Sequence, residues 1–137
     1  MPTQSLSRKE IQARYGRLTG FLPGPVDQPI APNMPAGSVT DDTEQAVLLG
    51  RLVVEGGGHV DPGRLAAELV AWESDMRRRG SLDLLGPSTK AAVAAGEPCG
   101  SAGRRGTTNG AAMRITPVGI ACPPTDLARL VDVVVEA

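Results

Sequence analysis

Apolar and polar positions alternate along this 137-residue chain with helical rather than strand periodicity, and prolines and glycines divide them into blocks. Ser7 to Gly16 reads as a short helix, with Ser7 as its cap and Glu10 completing a capping box. From Leu18 to Val39, five prolines and three glycines forbid regular structure, which predicts a long loop. Asp42 to Glu55 reads as a helix carrying Ala46, Val47, Leu48, Leu49, Leu52, Val53 and Val54. Its apolar residues fall nearly all the way round, the pattern of a helix enclosed by other helices. Gly56-Gly57-Gly58 ends it. Asp61 and Pro62 then open a helix with Leu65, Ala66, Leu69, Trp72 and Met76 at helical spacing, closed by Arg77, Arg78, Arg79 and Gly80.

Pro87 to Ala95 predicts a short alanine-rich helix, and Gly96 to Thr108 a glycine-rich loop. A further helix is predicted from Asn109 to about Ile115, ended by Pro117. Leu127, Leu130, Val131 and Val134 follow i, i+3, i+4, i+7 behind a Pro123-Pro124-Thr125 cap, which favours a last helix over a strand. The fold class this predicts is all-α, with five or six helices and no convincing sheet. Neither Met1-Pro2 nor Ala137 carries a start or stop signal, so both ends read as cut. Exposed apolar surface is therefore expected at Val47, Leu52 or Val131.

Composition narrows the picture. One domain of this size can bury a sizeable core, but it holds only Tyr15, Phe21 and Trp72 as aromatics, so aliphatic side chains and alanine must fill it. A net charge of −1 offers no general attraction to nucleic acid or an anionic membrane. No apolar run approaches a membrane span, and no signal-peptide core precedes the first helix. Cys99 and Cys122 lack metal-ligand spacing. A reducing cytoplasmic location is the simplest expectation, with one disulfide left open.

Candidate chemistry centres on Thr40-Asp41-Asp42-Thr43, two carboxylates and two hydroxyls at the start of the most apolar helix. A hard divalent cation takes such oxygen ligands. Asp41 with Glu44 also makes an ordinary capping box, and acids in a first helical turn are stabilised by the dipole, so both readings stand. His59 follows three glycines without a Cys or His nearby and reads as a surface residue. Arg77-Arg78-Arg79 and Arg104-Arg105 read as solvated charges.

Three segments in order sharpen the choice. Gly37 to Thr43 resembles the first metal-binding motif of the ADP-ribosylglycohydrolase family. Leu85-Gly86-Pro87-Ser88-Thr89-Lys90 resembles the Gly-Pro-Thr/Ser segment of its bacterial members. Thr107 to Arg114, followed by Pro117-Val118-Gly119, is similar to the family's Asn-Gly-Ala-Ala-Met-Arg signature. The resemblance spans nearly the whole chain. It implies a helical bundle, apparently truncated, with residues 1–137 forming a partial domain and 18–39 its long loop.

It further implies two Mg²⁺ or Mn²⁺ ions in a complete site, cleaving the bond between ADP-ribose and a protein or small-molecule acceptor. Thr40, Asp41 and Asp42 match the metal ligands, with Asp41 and Asp42 as catalytic acids. Asn109, Gly110 and Met113 match a substrate-lining role, and Arg114 either joins them or serves as a structural ion-pair partner. Asn109 would cap a helix whose small first residues admit a phosphate. The small residues equally suit close helix packing. The family's leading Gly-Asp-Ala helix and its later Gly-Gly-Asp-x-Asp-Thr motif have no counterpart here. Two alternatives follow: an inactive remnant of the same scaffold, or a hydrolase of another ribosyl compound. The acceptor and oligomeric state are not legible.

Overall fold

A computed structural model describes residues 2–94 and 108–137. Its regular elements are seven helices, with no strand among the described residues: α1 (Arg8–Tyr15), α2 (Asp41–Glu55), α3 (Pro62–Arg78), α4 (Pro87–Ala94), α5 (Gly110–Arg114), α6 (Thr116–Ala121) and α7 (Leu127–Glu136). None of these is long and apolar enough to cross a membrane.

The α1 capping box forms as its sequence predicts: Ser7 Oγ accepts from Glu10 N–H, and Ser7 N–H donates to the Glu10 carboxylate at 2.7 Å. No residue of α1 is buried, so caps and tethers hold it, including Tyr15 Oη donating to the Pro2 carbonyl. Residues 18–39 contain no helix or strand, yet they are anchored. Buried Gln28 accepts from the Ile30 and Ala31 amides and donates to the Gln4 carbonyl at 2.7 Å. The Leu82 amide donates to the Ile30 carbonyl, fastening the loop to the α3–α4 connection.

The core gathers around α2. Leu48, Leu49, Leu52 and Val53 pack with Leu65, Leu69, Trp72 and Met76 of α3, and with Val118, Cys122 and Val133. Burying such side chains contributes about 1.5–3 kcal/mol each. Helix α2 is not enclosed on every side. Val47 is 69% exposed and Val54 lies open as well, whereas Leu52 is 3% exposed. The described partners α3, α5 and α6 leave one face of α2 uncovered.

Three local expectations change. The helix expected from Asn109 to about Ile115 forms as α5 and ends there, but Pro117 also stands in the first turn of α6, where proline lacks only an N–H that has no helical partner. Ile115, in helical conformation, joins α5 to α6, so the chain turns rather than stops. The cap of α7 is Asp126, whose side chain accepts from Arg129 N–H, rather than Pro123-Pro124-Thr125. In α7 only Val133 is buried, with Leu130 and the following Ala137 partly buried beside it; Leu127, Val134 and the 58% exposed Val131 face outward. Arg79 is also more than a solvated end. It ion-pairs with Glu44 at 2.7 Å, and Glu44 accepts from Trp72 Nε1–H, which ties α3 to α2. The Gly96–Thr108 loop lies almost wholly outside the described residues, as do Ala95, Cys99, Arg104 and Arg105.

Candidate metal site and ligand groove

Thr40 precedes α2 in extended conformation, the backbone position of a helix cap, but its side chain caps nothing. Thr40 Oγ1 donates instead to Asp42 Oδ2 at 3.0 Å. The expected Asp41–Glu44 capping box is likewise absent, since Asp41 is already inside the helix and Glu44 is engaged by Trp72 and Arg79. The Asp41 amide donates to Asp83 Oδ2 at 3.0 Å. Asp83 sits on the α3–α4 connection, 8% exposed, and donates its own amide to Ser81 Oγ.

The half-buried Asp41 carboxyl is pushed up to about 6 from an ordinary 3.8. Desolvation is the main cause, followed by the negative charges of Asp83 and Asp42. Sequence reasoning missed Asp83. No motif marked it, and its position 42 residues from Asp41 is visible only in the folded chain. Its one local signal is an acid set between two leucines, Leu82 and Leu84.

The donors suit a hard divalent cation: two carboxylates and one hydroxyl on a single turn, with like charges whose crowding a cation would relieve. By themselves they would make only part of a coordination shell. Among the described residues, no group of three or more His, Cys, Asp or Glu side chains converges as a metal site.

An open groove of about 430 Å³ runs between α2 and the α5–α6 segment. Asp42 and Thr43 border it, Ala46, Val47 and Gly50 contribute from α2, and Met113, Thr116 and Pro117 face them. Gly50 faces Pro117 closely: a Cβ there would be in van der Waals contact, 3.4 Å from the Pro117 ring. Asp42 and Met113 therefore share one cavity. Asn109 does not border it, and it makes no side-chain capping bond to α5. Gly110 faces α4, where a Cβ would stand 3.2 Å from Thr89 Oγ1, so its smallness serves close packing. Helix α5 has five residues, too short for the dipole that a phosphate-binding terminus draws on.

Arg114 finds no acid among the described residues and is no ion-pair partner there. It is 7% exposed, donates to the Gly110 carbonyl and more weakly to Gln45, and burial lowers its pKa. The second motif adjoins the third: Pro87 starts α4, and a Cβ on Gly86 would lie 3.4 Å from Thr108 Oγ1. His59 is exposed and paired with Glu136 at 3.2 Å.

The three spaced motifs thus sit on one all-helical scaffold, the first of them at the acid-bearing start of α2. The chain belongs to the ADP-ribosylglycohydrolase family, whose sequence profile matches residues 1–137. It is 32% identical to the uncharacterized protein YegU of Escherichia coli (strain K12) over 135 residues, covering 96% of this chain and 40% of that protein. It is 36% identical to an uncharacterized protein of Archaeoglobus fulgidus over 125 residues, covering 88% of this chain and 37% of that one. The chain thus spans about two fifths of the length of these relatives. No solved structure matches it significantly.

Proposed function

We propose that this domain takes part in metal-dependent hydrolysis of the glycosidic bond between ADP-ribose and an acceptor, in a protein or a small molecule. Family membership supports a hydrolase of this superfamily. The observation that carries the finer reading is the shared groove of Asp42 and Met113, at the end of which the Thr40-Asp41-Asp42 turn lies. In this reading Thr40, Asp41 and Asp42 hold Mg²⁺ or Mn²⁺. Bound there, such ions supply positive charge that orients ribose hydroxyls and acidifies water. The chain's own residues do the rest. Thr40 fixes the rotamer of Asp42, Asp42 presents its carboxylate to the groove, and Val47 and Met113 offer an apolar wall against the ligand. Asn109 and Gly110 act one step away, shaping the α5 turn that carries Met113.

The test joins two measurements on the chain. Mg²⁺ is expected to raise the melting temperature, because a ligand of the native state stabilises it. ADP-ribose is expected to be released from an ADP-ribosylated substrate panel in the same buffer. Metal-independent melting with no turnover would favour the second reading, a non-catalytic scaffold. The specific observation on that side is the absence of three convergent metal-binding side chains among the described residues. Turnover of other ribosyl compounds alone would move the substrate class.

A further inference from the structure

Every helix start leaves backbone N–H groups without helical partners, and a side chain of the capping residue normally takes one of them. In α2 that residue is Thr40, and its hydroxyl is turned away to Asp42 at 3.0 Å. The first amide of the helix, that of Asp41, is taken instead by Asp83 Oδ2 at 3.0 Å. This acceptor comes from the connection between α3 and α4, and it is firmly held there. Asp83 is buried, its amide is bonded to Ser81 Oγ, and the neighbouring Leu82 amide is bonded to the Ile30 carbonyl. Its other oxygen lies 3.5 Å from Gln4 Nε2, at the outer limit of a hydrogen bond.

The consequence is a division of labour at the turn. The Thr40 hydroxyl gives its one hydrogen to Asp42 and accepts from no helix amide, while Asp83 accepts from the first of those amides. With Asp83 serving the backbone, the Thr40 hydroxyl orients Asp42, and the carboxylate of Asp42 borders the groove. We propose that Asp83 is a positioning residue that holds the Thr40–Asp42 turn in ligand-binding geometry, without itself touching the ligand. This rests on the metal-binding reading above and deepens it. Asp83 also lies three residues before Gly86 on the same connection, so its bond to the Asp41 amide ties the first motif to the chain that leads into the second.

The substitutions Asp83→Ala and Asp83→Asn separate the tether from charge. Asn keeps an oxygen that can accept from the Asp41 amide; its N–H₂ then faces Gln4 in place of Asp83 Oδ1, and a flip of the Gln4 amide offers it Oε1, a buried acceptor without a partner among the described residues. Ala removes both. The readouts are Mn²⁺ affinity by electron paramagnetic resonance of free Mn²⁺, and hydrogen exchange at the Asp41 amide. Val133→Ala, in the core contributed by α7, is the control for loss of stability at a distance from the turn. D83A is expected to weaken Mn²⁺ binding at least about tenfold, the usual effect of losing an outer-shell partner, with D83N within about threefold of the parent and V133A unchanged. Asp41 amide protection is expected to fall in D83A alone. Parental Mn²⁺ affinity in D83A, or an equal loss in V133A, would overturn the proposal. If the parent chain binds no Mn²⁺, the metal reading fails on its own. The tether is then decided by exchange: selective loss at Asp41 in D83A supports it, and unchanged protection refutes it.

Discussion

Replacing Asp41 by Asn is expected to make the metal-free protein more stable at neutral pH, although it removes the central acid of the site. The Asp41 carboxyl is raised from 3.8 to about 6, chiefly by burial and then by Asp83 and Asp42. A rise of that size corresponds to about 3 kcal/mol if nothing screened it. Asp41 is half exposed, so solvent screening removes part of this, and the helix dipole returns about 0.3–1 kcal/mol to the charged form. A net gain of about 1–2 kcal/mol for D41N at pH 7 remains, a rise of about 3–6 °C in melting temperature for a domain of this size. The sign follows from proton linkage. The folded carboxyl holds its proton up to about 6 and the unfolded one only to 3.8, so the native state binds more protons between them. The Asp41 contribution therefore makes the protein lose stability as pH rises through that window. Urea unfolding of both proteins between pH 4 and 7.5 reads this directly. D41N is expected to flatten the decline, and saturating Mg²⁺ to stabilise the parent selectively at pH 7. A D41N protein less stable than the parent at pH 7, or with the same slope, would refute the reasoning.

Other outcomes follow from particular contacts. Glu44→Ala leaves Trp72 Nε1 and Arg79 without their shared acceptor and is expected to cost about 1–3 kcal/mol. The emission of Trp72, the chain's one tryptophan, should shift with it. Because the Arg79 guanidinium, followed by Trp72, lowers the Glu44 pKa, the contribution is present above the ordinary 4.5 and lost as pH falls through the lowered value. An unchanged acid unfolding midpoint in E44A would count against it. Gly24→Ala would place a Cβ 2.2 Å from the Ala31 carbonyl oxygen and should loosen residues 18–39, read as faster proteolysis there; parental cleavage rates would contradict the packing. Val133→Ala should cost about 1–3 kcal/mol while Val134→Ala stays within about 0.5 kcal/mol, and the reverse order in urea would restore the stripe expected from spacing.

The helices were legible because their signals are local. The Ser7–Glu10 box, the Asp61-Pro62 start and the Leu65, Leu69, Trp72, Met76 stripe depend on neighbours within a turn or two. What failed depended on the third dimension. Spacing on α7 pointed to Leu127, Leu130, Val131 and Val134, whereas packing on the core buries Val133 and partly Leu130. Pro117 carried a stop signal and a start signal at once. At the site, Asp42 and Met113, carried by two of the motifs, line one groove. Asn109 is not among the residues that line that groove, and Gly110 packs toward Thr89. Asp83 was invisible, for a buried acid reached across 42 residues leaves no periodic trace.

The account stands on divalent cation binding by the turn at 40–42. Isothermal titration of the chain and of Asp42→Asn with Mn²⁺ tests it most directly. Saturable binding by the parent with a Kd below about 1 mM, weakened by about tenfold or more in the variant, is the expected result. Identical titrations of the two proteins, with or without heat, would contradict it.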